Sequence, residues 1–115
     1  MKLKKKEIQL YLFDAIVVET KKFDYKFDYF TRTILTLESE LSGTTLKDIV
    51  DDFQKLLVSN SEYKVMVFKC HSSEFDEWTK FLKDNINIYY KPKIGIYYLV
   101  AYLTDKLKFE ILELT

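Results

Sequence analysis

The sequence predicts an α+β fold, a mixed β-sheet of about five or six strands with two helices on one face, in the order β-β-α-β-α-β-β-β. Three observations lead to this prediction. The chain has 115 residues, 48% of them hydrophobic, which is enough for one domain with a buried core. Runs of β-branched and aromatic residues are separated by only two amphipathic segments. No linker or low-complexity segment divides the chain, so residues 1–115 form a single domain.

The first two strands are predicted at residues 7–19 and 27–38, joined by a polar connection that favours a hairpin. The first is apolar on both faces except at Asp14, which favours an interior position in the sheet. In the second, simple alternation places Tyr29 and Leu35 on one face and Arg32 on the other.

The first helix follows Thr45, which together with Asp48 resembles a capping box. Apolar residues then recur at spacings of three and four, as in Ile49 and Phe53, which is typical of an amphipathic helix. The third strand, Tyr63–Cys70, is apolar on both faces beyond its start and is therefore expected in the centre of the sheet.

The second helix is predicted to be capped by Ser72 or Ser73, with acidic residues in its first turn and an end at Asn85. Strands are predicted at residues 86–91, 94–104 and 106–114. The strand–helix–strand unit predicts a right-handed parallel crossover. Two helices do not cover both faces of such a sheet, so the second face must meet a partner, curl upon itself or remain in water.

The stretch VFKCHSSEFDEW, residues 67–78, combines the only cysteine, the only histidine and the only tryptophan. A Cys70 thiolate with His71 as base is one interpretation, and a metal site is another. Adjacent side chains of an extended chain point to opposite faces, and no second ligand cluster is visible. We therefore expect Cys70 to pack as a small buried residue, with Trp78 between the helix and the sheet.

Aromatic residues are unusually frequent, at 17% of the chain. Tyrosines interleaved with lysines are typical of protein–protein interfaces and also of platforms on which single-stranded nucleic acid stacks. A third interpretation is that these rings belong to the core. The predicted binding residues, for protein or nucleic acid, are Tyr25, Tyr29, Tyr89, Tyr90, Lys91, Lys93 and Tyr97.

Charge and composition limit the function classes. The 18 basic and 18 acidic side chains balance, which argues against a dedicated duplex-DNA binder. Residues 1–6 are predicted to be a mobile basic tail, and no apolar run is long enough to span a bilayer. One cysteine fits a reducing compartment, so a cytoplasmic location is expected. Many lysines and glutamates with few amides favour a thermophilic source.

These patterns predict a small non-enzymatic protein-interaction module without cofactor, metal or membrane partner. Its partner is expected to be a protein, and the module itself to be a homodimer in one version of this hypothesis. An inhibitor encoded by a virus or mobile element, which occludes a host defence complex in the host cytoplasm, fits such a module by analogy. The alternative is a single-stranded nucleic-acid-binding protein that uses a Tyr/Lys sheet surface.

Overall fold

The structure is a computed structural model that describes residues 13–22, 28–42, 45–89 and 95–115. Its elements are β1 (Ala15–Lys22), β2 (Asp28–Glu40), α1 (Leu46–Val58), β3 (Tyr63–Cys70), a 3-10 helix (Ser72–Glu74), α2 (Phe75–Ile88), β4 (Ile96–Leu103) and β5 (Lys108–Leu114). The five strands form one mixed sheet, and the predicted α+β class with two helices is confirmed.

The strands lie in the sheet in the same order as in the sequence. The three central strands β2, β3 and β4 are parallel, and β1 and β5 pair antiparallel at the two edges, so the interior position predicted for the first strand is wrong. Helix α1 connects β2 to β3, and α2 connects β3 to β4. Since both crossovers run in the same direction across the sheet, crossovers of the same hand place both helices on the same face.

Helix α1 starts as its sequence predicts. The Thr45 hydroxyl accepts a hydrogen bond from the backbone N–H of Asp48 at 3.3 Å, which satisfies one of the free donors of the first turn. Ile49, Phe53 and Leu56 are fully buried against the sheet. The apolar residues of the amphipathic pattern therefore form the contact between the helix and the sheet.

One core lies between the helices and the sheet. Alternate residues of β3 and β4 point into it, among them Met66 and Phe68 on β3 and Leu99 and Ala101 on β4, all of which are fully buried. Trp78 of α2 belongs to the same cluster, as expected for a residue between helix and sheet.

The strand predicted at residues 86–91 is wrong over its first part, because α2 continues through Ile88 and is followed by β4 only at Ile96. The parallel crossover from β3 therefore leads to β4. Gly95 has a φ of 89°, and a Cβ there would lie 2.6 Å from the carbonyl oxygen of Glu62, so this entry into β4 requires glycine.

The alternation predicted for β2 is interrupted by two irregularities in its pairing with β1. Val17 lies opposite Leu35 and Glu19 lies opposite Arg32, so two residues intervene on β2 where β1 has one. As a consequence Arg32 and Leu35 share a face, contrary to the prediction. Of the strand predicted at residues 7–19, residues 15–19 are confirmed within β1, whereas residues 13–14 form a bend. Residues 7–12 and the predicted tail at 1–6 lie outside the described residues.

The predicted serine cap of the second helix is also wrong. The side chain of His71 caps the 3-10 helix by accepting a hydrogen bond from the N–H of Ser73 at 3.1 Å, and Glu74 completes a capping box by accepting from the N–H of His71 at 2.8 Å. Neither of the described helices has the length and apolarity that a membrane crossing requires.

Candidate functional site: the open face of the sheet

The candidate site is the sheet face opposite α1 and α2, called here the open face. On β3 and β4, every second side chain is buried under the helices and the intervening ones are partly exposed. The apolar and aromatic side chains of the open face are Ala15, Val17, Tyr29, Leu35, Leu37, Tyr63, Val65, Val67, Ile96, Tyr98, Val100, Tyr102, Phe109 and Ile111.

These side chains form continuous rows across neighbouring strands. The middle row runs from Leu37 through Val65 to Tyr98, and the next row runs from Val67 through Val100 to Ile111. Residues opposite each other on adjacent strands are about 5 Å apart, so their side chains touch. The result is one contiguous apolar surface.

Aromatic rings add two pairs to this surface. The rings of Tyr63 and Tyr98 are stacked with centroids 6.4 Å apart, and the rings of Tyr102 and Phe109 meet edge to face at 5.1 Å. The Tyr98 hydroxyl donates to Glu113 at 2.9 Å, and this hydrogen bond raises the pKa of the phenol. Each pair spans two strands and holds its rings at a defined angle.

Charged residues lie at the two ends of the open face. At the amino end of β3, Arg32 forms ion pairs with Glu19 and Glu62, so the net charge of this cluster is −1. A hydrogen bond from the Thr31 hydroxyl, and then the Arg32 charge, lower the pKa of Glu19. At the carboxyl end of β3, Lys69 takes no part in the ion pairs among the described residues.

The binding residues predicted from the sequence are not brought together on this face. Tyr29 is exposed and follows the same side of the β1–β2 pair as Arg32. Tyr89 is half-buried at the end of α2, against the core cluster. Four of the seven lie outside the described part of the chain: Tyr25, Tyr90, Lys91 and Lys93.

Tyr97 lies in the core and not on the surface. Only 6% of it is exposed, its ring centroid is 5.8 Å from that of Phe53, and the Lys64 ammonium is 5.3 Å from its centroid. Burial raises the pKa of its phenol to about 12. Its ring is therefore not available to a partner in this fold, whereas Tyr98, one residue later, is.

Except for Tyr29, sequence reasoning missed the aromatic residues that the open face does carry. The strand segments of β3 and β4 are apolar on both faces, so the pattern alone does not say which parity meets the helices. One signal was present in β5, where Phe109 and Ile111 alternate with Lys108 and Glu110. Such alternation marks an apolar face, and here that face is turned to solvent.

The Cys70–His71 corner has a structural arrangement. Cys70 is 4% exposed, and burial, followed by the negative charges of Glu74 and Asp105, raises the pKa of its thiol to about 11. A thiol that stays protonated at neutral pH is a poor nucleophile and metal ligand. No group of three metal-ligating side chains occurs in the parts of the chain that the structure describes.

The rest of this corner joins the turn after β4 to the 3-10 helix. The N–H of Ser72 donates to Asp105 at 2.8 Å, and the Ser72 hydroxyl donates to the second carboxylate oxygen. These hydrogen bonds lower the pKa of Asp105 to about 2. His71 Nε2 is 3.6 Å from the same carboxylate, and its Nδ1 is occupied by the cap.

A second polar cluster is closed to solvent. The hydroxyls of Thr36, Ser59 and Ser61 lie 2.7 to 3.1 Å from one another, and the Lys64 ammonium donates to the carbonyl oxygen of Ser61 at 3.3 Å. All four residues are buried. Their hydrogen bonds satisfy polar groups inside the core.

Comparisons of the chain with protein families, with curated proteins and with solved structures found no match.

Proposed function

We propose that this protein is a non-enzymatic protein-interaction module that binds its partner through the open face. The observation that carries the proposal is the contiguous apolar surface, in which Phe109 and Ile111 are 58% and 65% exposed. Monomeric proteins rarely leave a large contiguous apolar patch in water, and such patches mark interaction sites.

The size of the open face fits a specific interface. Five strands about 4.8 Å apart and about eight residues long, at about 3.3 Å per residue, cover about 600 Å² in projection. The accessible area of such a pleated surface is somewhat larger than its projection. Stable complexes bury about 800 Å² on each partner.

The composition of the face favours a protein partner. Valine, isoleucine and leucine predominate between the tyrosines, as in the centre of a protein interface. Two carboxylates, those of Glu19 and Glu113, lie on the same face, and a third, that of Glu62, is paired with Arg32 at the amino end of β3. A polyanion would meet these charges without a compensating excess of lysine.

Single-stranded nucleic-acid binding is the second candidate, and the two aromatic pairs favour it. Each ring pair offers π-faces on which bases stack. Of the two candidates, only this one requires binding that weakens steeply with salt.

An inhibitor from a virus or mobile element that covers a site on a host defence complex in the cytoplasm remains part of the proposal. Such a protein acts by occlusion, and an apolar sheet face without a catalytic group is sufficient for that role.

Two variants test the proposal. Ile111→Glu places a charge on the open face, and Ile88→Glu places the same charge at the end of α2, where Ile88 is 78% exposed. Circular dichroism and melting temperature establish that both variants fold. We expect a protein partner purified with the tagged chain to be retained by Ile88→Glu and lost by Ile111→Glu. Retention by both variants would contradict the proposal.

The same two variants distinguish single-stranded nucleic-acid binding from protein binding. Fluorescence anisotropy with a short single-stranded oligonucleotide at low salt measures nucleic-acid binding directly. Binding that falls steeply with salt and is lost in Ile111→Glu alone would favour nucleic acid over a protein partner.

A further inference from the structure

We propose that the open face binds a second copy of this chain. In this dimer the two sheets pack face to face, with the strands of the two copies antiparallel about a two-fold axis that crosses the middle of β3. The inference rests on the proposed function, since it takes the open face as the binding surface and names its partner.

The first argument is the exposed area. A five-stranded sheet face of about 600 Å² in projection comes close to the roughly 800 Å² per partner of a standard interface. Two sheets that pack in this way lie about 10 Å apart with strand directions within about 30°. The apolar rows at the centre of the face, around Val65 and Val67 on β3 and Val100 on β4, then form the interior of a two-layer sandwich.

The second argument is charge. A two-fold interface brings a surface against itself, so the surface must be self-complementary. The Glu19–Arg32–Glu62 cluster, with its net negative charge, lies at one end of β3. Lys69 lies at the other end, where its charge is balanced by the carboxylate of Asp14, which accepts a hydrogen bond from the Ser39 hydroxyl. An antiparallel two-fold axis brings Glu62 of one copy near the partner subunit's Lys69, and the contact occurs twice.

A parallel arrangement of the strands lacks this complementarity. It would bring the two copies of Glu62 close together, turn Glu19 on β1 towards the partner subunit's Glu113 on β5, and leave both copies of Lys69 together at the other end. Like charges placed across an interface cost affinity. The antiparallel arrangement is therefore the one that the charges favour.

Pairing through the sheet edge is the other route to a dimer. Strand β5 is an edge strand and could extend the sheet of a second copy. Such a dimer would leave the apolar rows of the open face in water. Only the face-to-face arrangement removes them from solvent, and a second copy is present wherever the chain is made.

The experiment is a charge swap on the full chain, with mass measured by analytical ultracentrifugation over a range of micromolar concentrations. We expect the wild type to reach twice the 13.8 kDa chain mass. Lys69→Glu and Glu62→Lys should each raise the dissociation constant by about tenfold or more, because each change affects two contacts. The double variant Glu62→Lys/Lys69→Glu should recover most of the wild-type affinity.

The matched control is Lys80→Glu, because Lys80 is an exposed lysine of α2 away from the open face. It should leave the dissociation constant unchanged. Circular dichroism of each variant separates loss of the dimer from loss of the fold.

Three outcomes would overturn the inference. One is a wild type that stays monomeric at the highest concentration. Another is a dimer whose dissociation constant is the same in the wild type, Lys69→Glu and Glu62→Lys. The third is a pair of single variants that the double variant does not rescue. In each case the proposed function is judged separately, because a different partner lost in Ile111→Glu but kept in Ile88→Glu would still support it.

Discussion

Two adjacent residues of β4 give the sharpest test of a sheet with one covered and one open face. Leu99 is fully buried under the helices, whereas Val100 is half-buried on the open face between Val67 and Ile111. The substitutions Leu99→Ala and Val100→Ala therefore remove apolar groups from opposite faces of the same strand at the same height in the sheet.

The expected costs differ in size and in their dependence on concentration. Truncating a fully buried leucine to alanine lowers the free energy of unfolding by about 3 kcal/mol. For a domain of this size that corresponds to a melting temperature lower by about 12 °C. Val100→Ala removes the equivalent of about two methylenes from a site that is only half-buried, so its cost in the monomer should stay below about 1 kcal/mol.

Urea unfolding followed by circular dichroism measures both costs. At low protein concentration Leu99→Ala should be the more damaging change by about 2 kcal/mol. At high concentration the cost of Val100→Ala should rise, because the proposed dimer would cover that side chain, whereas the cost of Leu99→Ala should not change with concentration. Equal costs at low concentration would refute the assignment of an open face.

Three further predictions concern titratable groups. The Cys70 thiol should not react with thiol reagents at pH 8 in the folded protein and should react after denaturation, because its pKa is raised to about 11; fast reaction of the native protein would contradict this. The phenolate absorbance of Tyr97 should appear only near pH 12 and should be missing from Tyr97→Phe. Because the pKa of Tyr97 in the folded protein lies above the ordinary value of 10.0, the stability that its neutral phenol contributes should be lost as pH rises towards 12. Asp105→Asn should lower the melting temperature at neutral pH. Because the pKa of Asp105 is lowered from 3.8 to about 2, the difference in melting temperature between variant and wild type should shrink as pH falls through that range. A difference in melting temperature that does not change with pH would contradict this prediction.

The sequence was sufficient for the elements in which local and tertiary preferences agree. Helix α1 has a cap at Thr45 and apolar residues on one face, and both features are present in the structure. Strand β3 is apolar on both faces and lies in the centre of the sheet. In these segments the residue pattern and the packing demand the same structure.

The segment after α2 shows the opposite case. Its β-branched and aromatic residues favour a strand locally, yet Ile86 is buried four residues after Leu82 and eight after Trp78. That spacing continues the buried stripe of the helix, so packing against the sheet outweighs local preference. The periodicity was visible in the sequence and was the better guide.

The identity of the open-face residues could not be read from the sequence for a different reason. A change of one residue in register moves every side chain of a strand to the other face. Ile96–Leu103 carries Tyr97 and Tyr98 side by side with apolar neighbours on both sides, so only the position of the helices decides which ring is buried. In β2 each of the two pairing irregularities changes which alternate residues face the helices. No residue in that segment predicts these irregularities.

The open face follows from connectivity and not from any local feature. The chain crosses from β2 to β3 and from β3 to β4 in the same direction, so both helices lie on one side. Edge strands such as β5 usually carry charged side chains, which prevent unwanted association. Phe109 and Ile111 instead place large apolar groups on the open face of this edge strand. Lysine or threonine at either position would suit a solvent-facing strand equally well. The fold does not need these two side chains for its own core, and this is the physical reason for the proposal that they contact another surface.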